Sequence, residues 1–293
     1  RQKIIELNLK NKNYDENIDI HEFAELTAGF SGADIFNMVN EAAILSIRYN
    51  LTVIDKKCVI DAYEKVTIGL PKLNDTRSEE VVELVAYHEA GHTLVALLFN
   101  DFFEVRKVTI NANVNGAGGY TLFTEKSRFS EYPTKKYMLA KLMVALGGRA
   151  AEIVLYNNIN NQLNSTKYSD DKIFSNIKNL DITTGASGDL QSANTLARNY
   201  INLFGFENGF GIYDETNSNL PFLGRDIGNP NNKISEYSKK KTDCEIERLL
   251  NNALIKTVSI IESNQDQLDH IANLLITNNN IDQSNLINNT ISY

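Results

Sequence analysis

Apolar residues recur along this chain in two rhythms. From 20 to 66 they fall at three- and four-residue spacings, in "HEFAELTAGFSGADIFNMVNEAAILSIRYN" and then "IDKKCVIDAYEKVTIG", which predicts a short helical bundle. Ser31 and Asp34 form a variant of the capping box ahead of Ile35, Met38, Val39, Ala42 and Ala43, and so mark the start of its central helix. Further on, "VVELVAYHEAGHTLVALLFN" carries a stripe of Val81, Val82, Leu84, Val85, Leu94, Val95, Leu97 and Leu98, as expected of one buried helix. The rhythm then changes. "VRKVTINANVNGAGGYTLFTE" reads as two short strands around a turn rich in glycine at Gly116, Gly118 and Gly119. "TKKYMLAKLMVALGGRAAEIVLYN" is expected to be helical up to Gly147 and Gly148 and to resume beyond them. Helical spacing returns through Leu190, Ala193, Leu196, Ala197, Tyr200, Ile201 and Phe204. From about Ile234 to Thr277 the tail reads as one long or two consecutive amphipathic helices. The fold class is therefore mainly α with a small β element.

Two units are expected. "LPKLNDTRSEE", with Pro71 and a cluster of charges, is the best boundary, so residues 1–75 form one unit and 76–293 the other. The stretch at about 157–182, rich in asparagine and serine with little periodicity, reads as a mobile surface insertion.

Composition removes several classes of function. The 293 residues carry a formal net charge of −8, which disfavours a nucleic-acid partner held through phosphate contacts. Cys58 and Cys244 stand far apart, so neither a disulfide scaffold nor a thiolate zinc cluster is expected. No apolar run free of charges reaches the roughly 18–20 residues of a membrane span. The chain opens at Arg1 with neither methionine nor a targeting segment, and is expected to be a piece of a longer protein.

The apolar helix contains two histidines and a glutamate, and they give it its chemistry. His88 and His92 are four residues apart and project from one helical face. Unpaired polar groups buried there would cost roughly 2 kcal/mol or more each, so something must satisfy both rings. Two imidazoles so placed can hold one zinc ion through ring nitrogens, leaving room for a third protein ligand and for substrate. Glu89 is rotated by about 100° from His88. It sits beside the ion rather than on it, where a general base for the attacking water belongs. Gly91 weakens a helix interior by about 1 kcal/mol relative to alanine, which suggests that another element packs closely there. For the third ligand, Asp189 at the start of a strong helix and Glu152 after "GGRAA" are rivals, and spacing alone does not choose between them. His21 and His270 read as ordinary surface or packed residues, and Arg149 as the partner of a nearby acid.

In order along the chain, "TAGFSGADIFNMVNEAA", "AYHEAGHTLVALL", "KVTI", "GGYTLF", "LGGRAAEIVLY", "TTGASGDLQSANTLARN", "GF" and "FLGR" resemble the FtsH family of membrane-anchored, ATP-dependent zinc proteases. The resemblance covers nearly the whole chain outside the insertion. It implies that Asp189 is the third zinc ligand and Glu152 a supporting acid. It further implies that an edge strand near Gly118, Gly119 and Tyr120 holds an extended substrate by main-chain pairing. Residues 1–75 resemble the helical lid of an AAA+ ATPase, in which Gly32 and Ala33 would face the adenine of ATP. No G-x-x-x-x-G-K-[ST] loop occurs in the chain, so ATP and magnesium are expected to act only in a longer protein. The resemblance implies one zinc per subunit, a homo- or hetero-hexamer, and unfolded or membrane proteins as substrates. It also implies attachment to the membrane of a mitochondrion or plastid, with the peptidase on the matrix or stromal side. A ring subunit without catalysis, serving as scaffold or chaperone, is the alternative.

Overall fold

The capping box anticipated at Ser31 is formed. Its hydroxyl accepts the Asp34 amide while the Asp34 carboxylate accepts the Ser31 amide, so two amides that a helix start leaves unpaired find partners. This box opens α3 (Gly32–Arg48) in a computed structural model that describes residues 1–72, 74–126, 129, 132–163, 182–207, 236–283 and 285. Around α3 pack α1 (Gln2–Leu9), α2 (Ile20–Leu26) and α4 (Lys56–Thr67). Asp19 and Asp55 cap the last two with their carboxylates. Helix α1 escaped the sequence pattern because it has only eight residues, of which Ile5 and Leu9 are buried.

Beyond the boundary segment, α5 (Glu79–Leu98) carries the two histidines. It is followed by β1 (Phe103–Thr109) and β2 (Tyr120–Glu125), then α6 (Lys135–Leu163) and α7 (Ser187–Arg198). Residues Asn199–Leu203 form one wider π-helical turn. The tail forms two helices, α8 (Glu236–Ser263) and α9 (Gln265–Asn278), and a third strand, β3 (Asn280–Asp282). The antiparallel sheet runs β2-β1-β3, so β2 lies at an edge, as expected. Strand β3 has only three residues, too few to register as an alternation.

Three expectations need correction. The stripe foreseen on α5 is not one-sided: Val81 and Leu98 are exposed, whereas every residue from Glu89 to Ala96 is buried. The C-terminal half is enclosed by α6, α9 and β1, as befits a helix at the centre of a core. By length and mean hydropathy α5 would also pass as a membrane span, but half of that stretch is buried inside the fold. Second, α6 runs unbroken through Gly147 and Gly148. Glycine lowers helix propensity without removing the backbone donor, and packing more than offsets the loss. Third, residues 157–163 continue α6 as helix, where little regular structure was expected. The rest of the presumed insertion, 164–181, and the "FLGR" stretch lie outside the described residues.

The glycines mark where α5 crosses α6. A Cβ on Gly91 would lie 2.4 Å from the Gly147 carbonyl oxygen and 2.6 Å from the Ala151 Cβ. A Cβ on Gly147 would lie 2.8 Å from the Gly91 carbonyl oxygen. Backbone meets backbone here, and neither side can yield cheaply. Gly91→Ala is therefore expected to lower stability by about 3 kcal/mol, read as a drop in the urea midpoint. Gly188→Ala, where a Cβ meets nothing within 4 Å, serves as the control. An unchanged midpoint for Gly91→Ala would contradict this crossing.

Two apolar clusters result. One gathers the α1–α4 residues from Ile5 to Ala62 and takes in Leu122. The other runs from Ala86 through Ile281. Strand β2 serves both, because successive side chains point to opposite faces. Leu122 and Tyr120 pack on the helical bundle, while Thr121 reaches Glu89 on α5. Charged pairs reinforce the join: Arg106 with Glu22 at 3.0 Å and Lys107 with Glu64 at 2.9 Å.

Candidate metal centre

Three ligand atoms converge between α5 and α7. His88 Nε2 is 3.0 Å from Asp189 Oδ2, His92 Nε2 is 3.4 Å from the same oxygen, and the two Nε2 atoms are 3.2 Å apart. The outer nitrogens are held in place. His92 Nδ1 lies 2.7 Å from the Val144 carbonyl oxygen, which can only accept, so Nδ1 carries the proton and Nε2 presents a lone pair. His88 Nδ1 lies 2.8 Å from Glu152 Oε1 and donates to it. A third acceptor, the Asp189 carboxylate, faces both lone pairs. Three acceptors at such distances repel unless a cation lies among them. The donor set, two imidazoles and one carboxylate, suits zinc with one position left open. The residues present thus fit the ion.

Each ligand's support can be traced to its element. Asp189 stands in the first turn of α7, whose N-cap Ala186 makes no side-chain cap bond. Its carboxylate does not cap that helix but is directed to the histidines, and the helix dipole favours a negative charge there. Glu152, the other candidate ligand, is buried and fully engaged. Besides His88 it accepts from Arg149 at 3.0 Å, and from the Thr183 amide and hydroxyl at 3.4 Å. It orients the ring of His88, and Arg149 is its partner as expected. Gly148 makes room on the α6 side, since a Cβ there would lie 2.4 Å from His88 Nε2 and 2.6 Å from His92 Nε2.

Glu89 lines the same cavity, of about 540 Å³, together with Gly118, Gly119, Tyr120, Thr121 and Phe123. The expected substrate-strand residues are thus adjacent to the histidines. Gly32 and Ala33 are not: they open α3 on the helical bundle, both exposed. Sequence reasoning missed Thr121 and Gly148. Thr121 is one step from Leu122 on a two-residue alternation, and the paired glycines lie in an otherwise strong helix. Both signals were visible, but they had no partner until the chain folded.

The site is electrostatically polarised. Burial opposes charging of the His88 ring, but hydrogen bonds to Asp189 and Glu152 and the charges of Glu89 and Asp189 outweigh it and push its pKa up to about 10. Burial raises the Asp189 carboxyl, yet bonds from His88 and His92 hold it well below the usual carboxylate range. Burial pushes Glu89 up, against the attraction of both histidines and the bond from Thr121. In the metal-free protein a proton on His88 therefore takes the cation's role at neutral pH. Zinc must displace it, so its affinity should fall about tenfold per pH unit on acidification below about 10, with about one proton released per ion bound. Calorimetry in buffers of differing ionisation heat reads this directly. Affinity independent of pH would contradict it.

Two family patterns and several named relatives match the chain. The pattern described as Peptidase family M41 matches residues 75–288, and that of the AAA+ lid domain matches residues 17–61. The chain is 35% identical over 288 residues to the ATP-dependent zinc metalloprotease FtsH of a Synechococcus strain, covering 98% of this chain and 41% of that protein. It is 33% identical over 285 residues to the chloroplastic ATP-dependent zinc metalloprotease FTSH 1 of rice, covering 96% and 38%. Against the ATP-dependent zinc metalloprotease FtsH of Bacillus subtilis it is 30% identical over 278 residues, covering 94% and 40%. The chain thus spans about two fifths of the length of these relatives.

Proposed function

The chain belongs to peptidase family M41, and from that premise we propose that it is the zinc endopeptidase portion of an ATP-dependent protease acting on unfolded or membrane proteins. One observation carries the reading: His88, His92 and Asp189 direct three acceptor atoms, all within 4.8 Å of one another, at one point. Bound there, zinc would polarise the scissile carbonyl and acidify the attacking water. The chain's own residues do the rest. His88 and His92, fixed by Glu152 and the Val144 carbonyl, hold their lone pairs at the ligand point. Glu89 takes a proton from the attacking water and delivers it to the leaving amine. Strand β2, with Gly118 and Gly119 just ahead of Tyr120, offers an edge that no other strand pairs among the described residues, and an extended peptide would add there as a further strand.

Residues 1–75 are, on this reading, the lid of an AAA+ module and 76–293 the peptidase. Gly32 and Ala33, exposed at the start of α3, are where the nucleotide would touch the lid. ATP and magnesium would act through sequence beyond this chain, since the relatives are ATP-dependent and far longer and no phosphate-binding loop occurs here. A homo- or hetero-hexameric ring would surround the site, attached to an organelle membrane. Chloroplastic relatives support a plastid as that organelle, with a mitochondrion as the alternative.

The test is metal removal. Chelation of the full-length protein should abolish cleavage of an unfolded, fluorescently labelled protein, and stoichiometric zinc should restore it. A protein that binds zinc and never cleaves any unfolded chain would establish the scaffold alternative instead.

A further inference from the structure

Glu89 is buried beside the metal centre, and the only side-chain donor to its carboxylate among the described residues is a hydroxyl on another element. Thr121 Oγ1, on β2, lies 2.8 Å from Glu89 Oε2. It also lies 3.3 Å from the Glu89 carbonyl oxygen and 3.4 Å from Thr93 Oγ1. A hydroxyl has one proton to give. The Glu89 carbonyl already receives the Thr93 hydroxyl at 2.8 Å, so the Thr121 proton goes to the carboxylate. Gly119, just ahead of the strand, lies close to the glutamate stem, since a Cβ there would be 3.0 Å from Glu89 Cγ.

We propose that Thr121 is a positioning residue for Glu89, so that the strand offered to substrate also aims the base. The proposal rests on the reading of Glu89 as general base. A carboxylate with one oxygen bound by Thr121 has the other free for the reacting water. Without that bond the side chain keeps several rotamers, and only some bring an oxygen within reach of the reacting atoms. A hydroxyl can also turn from donor to acceptor, so the contact survives when Glu89 takes up its proton. Because Leu122 and Tyr120 on the same strand pack on the helical bundle, a shift of that bundle would move Thr121 and displace Glu89 with it.

Thr121→Val keeps the volume and removes the bond; Thr121→Ser keeps the bond and removes a methyl group. In the zinc-loaded full-length protein, Thr121→Val should lower kcat about 10- to 100-fold with KM within about threefold, and Thr121→Ser should stay within about threefold of wild type in both. Both should retain the wild-type zinc content, and in the Glu89→Gln background Thr121→Val should change the residual rate by less than about twofold. A crystal structure of the valine variant should show Glu89 turned from its present rotamer. Should the valine variant not fold, Thr121→Ala against Thr121→Ser gives the same contrast. Wild-type kcat for the valine variant, or equal losses for valine and serine, would overturn the proposal. If that occurs while Glu89→Gln is inactive, only Thr121's role falls; if Glu89→Gln cleaves at the wild-type rate, the base assignment falls with it.

Discussion

Glu89→Gln should leave zinc bound and the fold intact while cutting cleavage of an unfolded protein by about a thousandfold. Glutamine matches glutamate in shape, and its oxygen can still accept from the Thr121 hydroxyl 2.8 Å away. What it cannot do is take a proton from water. Stripped of zinc, the variant should be no less stable than wild type at pH 7. Burial raises the Glu89 pKa in the folded chain, so its charge opposes folding once the unfolded carboxyl has ionised. Removing that charge therefore favours folding above the ordinary value of 4.5 and makes no difference well below it. Zinc content, thermal melts at pH 7 and pH 4, and initial rates together separate chemistry from binding. Undiminished cleavage by the glutamine variant would show that another group is the base.

Asp189 and Glu152 should separate just as clearly when each is tested for zinc affinity. Glu152 touches the outer nitrogen of His88 at 2.8 Å, so Glu152→Gln should weaken zinc about 10- to 100-fold. Glutamine suits this test better than alanine, because its amide oxygen can still accept from the buried Arg149 guanidinium, whereas alanine offers it no acceptor there. Asp189 places an oxygen at the ligand point itself, 3.0 Å from His88 Nε2. Asp189→Ala should therefore weaken zinc at least about tenfold more than Glu152→Gln. The fold should tolerate the change, since Asp189 caps nothing and its side chain is partly open to solvent. Competition against a calibrated chelator measures both constants. Equal losses, or full zinc retention without Asp189, would remove Asp189 from the ligand set.

Much of the architecture could be read from local pattern. The capping box at Ser31 and Asp34, the two strands around the glycine-rich turn and the paired tail helices each rest on interactions among near neighbours, so their signatures lie within a short window. His88, Glu89 and His92 belong to the same class, because helical geometry alone places them. The misreadings have one cause in common. Gly147 and Gly148 read as a helix break because propensity counts what a residue loses and not what approaches it. Val81 and Leu98 fall on the expected stripe because periodicity says which residues share a face and not how many faces are covered.

The sequence by itself therefore determined that this chain is mainly helical, that one helix presents two imidazoles and a carboxylate at metal-binding spacing, and which family it resembles. Tertiary structure alone decided how those groups are completed. It brought Asp189, 101 residues from His88, to the ligand point and left Glu152 behind the ring. It also set Thr121 against Glu89 and let Gly91 and Gly147 admit two backbones to contact. The division follows from range. A helix fixes relations over three or four residues through its own hydrogen bonds. Contacts between distant segments depend on which surfaces the whole core buries together, and no local spacing records that.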